Sequence, residues 1–169
     1  MELFKEHAVA PELFMLTSGV VSVEKFSWTY QRWTGEAIKD TYNGKPVLNS
    51  ERGPVFAELA VVSILKAHGF EVALWVDSYR KCSRDAMPPA VCTPPVQIRE
   101  VYDRIATANG SKWGGCWDVI AWDGKSVAFV ECKRKGKDRI LPSQVKWLES
   151  ALKVGLRLEN FMICEWNSA

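Results

Sequence analysis

The chain has 169 residues, 47% of them hydrophobic and 25% charged, with a formal net charge of +2; this fits one globular domain with a single core and excludes a disordered or fibrous chain. A charge so near neutral gives no bulk attraction to nucleic acid, so any such partner has to be argued from a local patch. No apolar run approaches the roughly 18 residues of a membrane span, and the opening "MELFKEHAVAPELFML" has Glu2, Glu6 and Pro11 where a signal peptide would be basic and then apolar. The expectation is therefore a cytoplasmic protein.

The first 50 residues give no clear element. Within them "FSWTYQRW" alternates as a strand would, so Trp28 and Tyr30 share a face, either packing in a core or subunit interface or stacking on bases. Next, "ERGPVFAELAVVSILKAHG" places Val55, Leu59, Val62 and Leu65 at helical spacing, with Pro54 suited to a first turn and Gly69 to a stop. The spacing predicts a helix over 53–68, and Glu58 falls on its apolar stripe, where a carboxylate needs a partner. Glu51 falls on the same stripe and rivals it.

"FEVALWV" (70–76) reads as a strand from its β-branched and aromatic content. Residues 77–112 read as an insertion: "MPPAVCTPP" has four prolines in nine residues, which rules out a regular element, while "VQIREVYDRIATA" suits a short helix. The strands "WDVIAW" (117–122) and "SVAFVECK" (126–133), joined by "DGK", form a hairpin signal. Pro142 and Gly155 bracket a helix with Val145, Leu148 and Leu152 on one side, Trp147 being expected in the core, and "FMICEW" (161–166) is a last strand.

The five cysteines, Cys82, Cys92, Cys116, Cys132 and Cys164, include no close pair, so reduced and mostly buried thiols are expected rather than disulfides or a zinc knuckle. His7 and His68 have no catalytic pairing, and His68 suits a helix C-terminus.

Alternation along the second hairpin strand puts Glu131 and Lys133 on one face with Val127 and Phe129, and Asp118 begins the partner strand. Carboxylates and an ammonium at the end of an apolar face are costly to desolvate unless they pair. A plain ion pair of Lys133 with Glu131 or Asp118 would satisfy them. So would a hard divalent cation, Mg²⁺ or Mn²⁺, held by oxygens without His or thiolate; such an ion can polarise a phosphodiester, with Lys133 neutralising phosphate or orienting water. The run "KRKGKDR" then offers Arg134, Lys135, Lys137 and Arg139 as a rim for a polyphosphate backbone.

"WD", twelve residues, then "ECK", followed by "GKDRILPSQVKWLESAL", resembles the PD-(D/E)xK nuclease superfamily and within it the VRR-NUC branch, over about residues 51–166. The resemblance implies an α/β, restriction-endonuclease-like αβββαβ core, with a central mixed sheet flanked by helices, to which this single-domain chain adds an N-terminal extension (1–50) and the 77–112 insertion after the first core strand. It implies Asp118, Glu131 and the main-chain carbonyl of Cys132 as ligands of Mg²⁺ or Mn²⁺, Lys133 as the catalytic lysine, Glu58 as the helix carboxylate and Gln144 as a helix residue reaching the site. Two features depart from the family: Trp117 stands where it usually has proline, and the 77–112 insertion separates the first strand from the hairpin more than expected. The activity implied is metal-dependent endonucleolytic hydrolysis of DNA, flapped or branched, by a homodimer without an organic cofactor. A different class, a catalytically silent nucleic-acid-binding or assembly module on the same fold, would hold DNA with or without metal.

Overall fold

The computed structural model describes residues 2–169. After a 3₁₀ turn at Glu2–His7, the strands are β1 (Ala8–Leu16), β2 (Gly19–Arg32), β3 (Leu48–Ser50) and β4 (Gly53–Val55). Helix α1 (Ala57–Ala67) leads to β5 (Val72–Asp77), β6 (Cys82–Arg84), β7 (Val91–Cys92) and helix α2 (Val96–Ala108). The chain closes with β8 (Val119–Trp122), β9 (Val127–Arg134), helix α3 (Pro142–Lys153) and β10 (Phe161–Ser168).

All ten strands join one mixed sheet in the order β4-β3-β2-β10-β9-β8-β5-β6-β7, with β1 also paired to β2. β10 runs parallel to both β2 and β9, and the other pairings are antiparallel. β9 is buried over its first six residues because both its faces are covered. Ala128, Val130 and Cys132 pack toward α1 with Leu59, Val62 and Leu65. Val127 and Phe129 pack the other way, with Ile98 and Ile105 of α2 and Trp147 and Leu148 of α3. Leu148, fully enclosed, contributes on the order of 1.5–3 kcal/mol by burial.

Several sequence expectations shift. The helix begins at Ala57, not near 53, because Gly53–Val55 pairs with β3 and Pro54 sits in an edge strand, where its missing N–H costs no ladder bond. Glu51 lies exposed between β3 and β4, off the helix, so the stripe position belongs to Glu58 alone. The N-terminal extension joins the sheet rather than hanging from it: β2 supplies the sheet's neighbour to β10, and Trp28 and Tyr30 pack against the α1-side core. Within 77–112, α2 is a full helix packed on the same face as α3, and the proline-rich stretch still spares Val91 and Cys92 for a short edge pairing with β6. Gly69 (φ +92°) follows the His68 cap of α1 as expected. All five cysteines are free, with Cys116, Cys132 and Cys164 buried. Among the described residues no helix is long and apolar enough to cross a membrane.

Candidate active site

Asp118, Glu131, Lys133, Gln144, Glu58 and the main chain of Cys132 come together where β8 and β9 open. The expected strand from 117 begins instead at Val119, and Asp118 occupies a bend just before it. Trp117, wholly buried with its ring edge-on to Phe161 at 5.0 Å, anchors that bend. Gly115 (φ +86°) lets the preceding loop lie on the first turn of α3; a Cβ there would fall 2.1 Å from the Ser143 carbonyl oxygen. Freed from strand alternation, the Asp118 carboxylate turns to accept the Cys132 N–H at 2.9 Å, and its own carbonyl takes the Val76 N–H at 2.7 Å. In a strand the N–H and C=O of one residue point to the same side, so the Cys132 carbonyl also faces the Asp118 side.

Glu131 and Lys133 share the α3 face, as alternation requires. Lys133 Nζ lies 2.9 Å from Glu131 Oε1 and donates to Gln144 Oε1 at 3.0 Å. Gln144 completes the set: its Nε2 donates to Glu131 Oε1, while its Oε1 also accepts the Leu141 N–H at 2.9 Å. That last bond satisfies the free amide at the start of α3, so one amide side chain both caps the helix and fixes the acid and the lysine.

Glu58 lies on the α1 face, 6% exposed, with Oε1 bonded to Lys45 Nζ. Asp118 stands between the two groups and feels both, Glu131 on one side and Lys45 with Glu58 on the other. Lys45 escaped the sequence reading; the Asn43-Gly44 pair signals a sharp turn, but nothing local says where the next lysine points.

Burial pushes the carboxyls of Glu58, Asp118 and Glu131 above the ordinary range, with Glu131 repelling Asp118 further, while Lys45 opposes the rise at Glu58 and Lys133 at Glu131. Burial works against the charge of Lys45, yet Glu58 beside it outweighs this and lifts its pKa. Glu58 Oε2 and Glu131 Oε2 are buried without a hydrogen-bond partner, which is costly unless something supplies positive charge. The donors here are oxygens only, which suits a hard dication. Among the described residues no three His, Cys, Asp or Glu side chains group as metal ligands by themselves, so the fit is to two carboxylates with main-chain oxygen and water.

A raised carboxyl stabilises the fold at pH below its unfolded value of about 4 and loses that contribution as pH climbs through the folded value. Asp118→Asn, which keeps an acceptor for Cys132 N–H, is therefore expected to raise the thermal midpoint of the metal-free protein by about 2–4 °C at pH 8 and by less at pH 5. Thermal unfolding in chelator at the two pH values checks this, and an equal shift at both would contradict it.

The basic run divides. Arg139, Arg134 and Lys133 line a groove of about 430 Å³ with Lys25, Glu12 and Glu165. The Arg134 guanidinium lies 5.6 Å from the Trp166 ring, Lys135 reaches Glu165 at 3.8 Å, and Lys137 is exposed. The turn is held by Asp138, which accepts the Arg134 N–H at 2.8 Å. Comparison with protein-family models, with curated proteins and with solved structures finds no match for this chain.

Proposed function

We propose that the protein is a metal-dependent nuclease hydrolysing DNA phosphodiester bonds on a restriction-endonuclease-like core made by α1, β5, β8, β9, α3 and β10. The observation that carries this is the convergence of Asp118, Glu131, Lys133 and Gln144 at one strand mouth, with buried carboxylate oxygen left unpaired. Asp118, Glu131 and the Cys132 carbonyl would hold Mg²⁺ or Mn²⁺, which when bound polarises the phosphodiester and makes a nearby water more acidic.

Lys133 is an ammonium with three donors. Two are directed at Glu131 and Gln144, which leaves one for a phosphate oxygen or the attacking water. Charge develops on the phosphoryl oxygens during hydrolysis, and a fixed cation at that place lowers the barrier. Gln144 is a positioning residue for both Lys133 and Glu131. Lys45 holds the Glu58 carboxylate and brings a second positive charge to the Asp118 side. Arg134, Lys135, Lys137 and Arg139 would exchange counterions with the DNA backbone.

The test is cleavage of labelled linear, flapped, four-way-junction and single-stranded DNA with Mg²⁺, with Mn²⁺ and with chelator. Cutting only with metal is the expected result, with flapped or branched DNA cut fastest. Binding without cutting under every condition would instead favour a silent binding module.

A further inference from the structure

Asp118 also borders a second groove, of about 400 Å³, on the side away from the basic turn. Its walls are two short turns that the catalytic cluster leaves unexplained. One closes the β5–β6 hairpin, where Asp77 pairs with Cys82 and Lys81 is left-handed (φ +54°). Asp77 is buried, bonded to Arg84 Nε at 3.1 Å, and its other oxygen accepts the Arg80 N–H at 3.0 Å. The turn is thus pinned from beneath, yet it presents Tyr79 84% exposed.

The facing turn carries Tyr42 and Asn43, both left-handed (φ +50° and +61°), with Asp40 accepting the Tyr42 N–H at 2.9 Å. Arg80 ties the two together, 2.8 Å from Asp40 and 3.8 Å from the Tyr42 ring centre. Asn43, Lys45, Tyr79 and Arg80 therefore line a narrow groove that ends at Asp118.

The lining is an aromatic face, an amide and two cations, each already paired with a carboxylate, beside Asp77 and Asp118, in a space the size of one nucleotide, so a stacking contact and not a charge contact has to select the ligand. A paired base hides both faces in its stack, so an exposed ring on a fixed turn can stack only on a base that has no stacked neighbour. The basic turn across the site is the reverse: residues 134–139 carry cations and no aromatic side chain, which suits a backbone whose bases stay paired. We infer that the groove between the two turns takes an unpaired DNA strand, stacked on Tyr79, beside the scissile phosphate. The role next to a scissile phosphate rests on the nuclease reading, whereas the binding of an unpaired strand does not.

Fluorescence anisotropy in chelator separates the two. The probes are a labelled oligothymidine and a blunt, fully paired two-strand duplex, titrated with wild type, Tyr79→Ala and Tyr79→Phe. Tyr79→Ala is expected to weaken oligothymidine binding about tenfold and duplex binding by less than about twofold, with Tyr79→Phe near wild type, because the ring and not its hydroxyl stacks. Wild type that fails to bind oligothymidine, or a Tyr79→Ala loss that is absent or equal for both probes, overturns the inference. Tyr79-dependent binding without metal-dependent cutting would sink the nuclease and keep the groove, and cutting with no Tyr79 effect on binding would do the opposite.

Discussion

Lys133→Ala is expected to lower metal-dependent DNA cleavage by roughly 10²–10³-fold, the cost of removing one fixed charge from a developing oxyanion. The variant should still fold, since Glu131 keeps the Gln144 Nε2 donor and, being pushed up by burial, can shed its charge by taking a proton. A second signature separates this role from a plain ion pair. Lys133 now holds down the pKa of Glu131 against burial; without it the carboxyl rises further and ionises at higher pH. Residual activity should therefore need a more alkaline pH than wild type. Single-turnover rates across pH, with circular dichroism as the folding control, would read both effects. Undiminished cleavage by Lys133→Ala would remove Lys133 from the chemistry.

The largest stability effect is expected at Asp77. Asp77→Ala leaves Arg84, whose side chain is only 6% exposed, with the Pro89 carbonyl at 2.8 Å and the Tyr42 ring centre at 5.6 Å but no counter-charge. Stranding a buried charge costs about 3–5 kcal/mol, a large part of the roughly 5–15 kcal/mol by which a domain is stable. Arg84→Met added to Asp77→Ala removes the stranded charge and should recover much of the loss. Urea unfolding of the two single variants and the double variant gives the coupling directly; strict additivity would mean that the two side chains do not share a buried pair. The same substitution deletes the acceptor of the Arg80 N–H, so the turn bearing Tyr79 should loosen as well.

What the sequence made legible follows from how local each cause is. Asp118, Glu131 and Lys133 could be placed because strand alternation and an Asp-Gly turn are short-range rules, and α3 because Pro142 and Gly155 punctuate it cleanly, whereas Gln144 was singled out only by the family resemblance. The start of α1 was misplaced since Pro54 suits an edge strand as well as a first helical turn, and only the pairing of β4 with β3 decides between them. Lys45 was invisible because its contact with Glu58 depends on three left-handed residues in a row, Tyr42, Asn43 and Gly44. Residues 1–50 resisted placement for a different reason. The hairpin of β1 and β2 is local, but what seats β2 in the sheet is a parallel partner at the far end of the chain, and no window of sequence contains both.

That long separation sets an order of events during synthesis. Glu24 in β2 pairs with Met162 in β10, so the hairpin of β1 and β2 leaves the ribosome with one edge open, its Leu13, Met15 and Val20 already apolar and outward. At about 5–20 residues per second, β10 follows only some 7–30 s later. Until then β2 is an unpaired apolar strand edge, the kind of surface that recruits other chains, and the slow closure of a parallel pair over such a span makes it the step at which aggregation competes with folding. Yield on expression should thus respond to chaperone supply and growth temperature through this one strand.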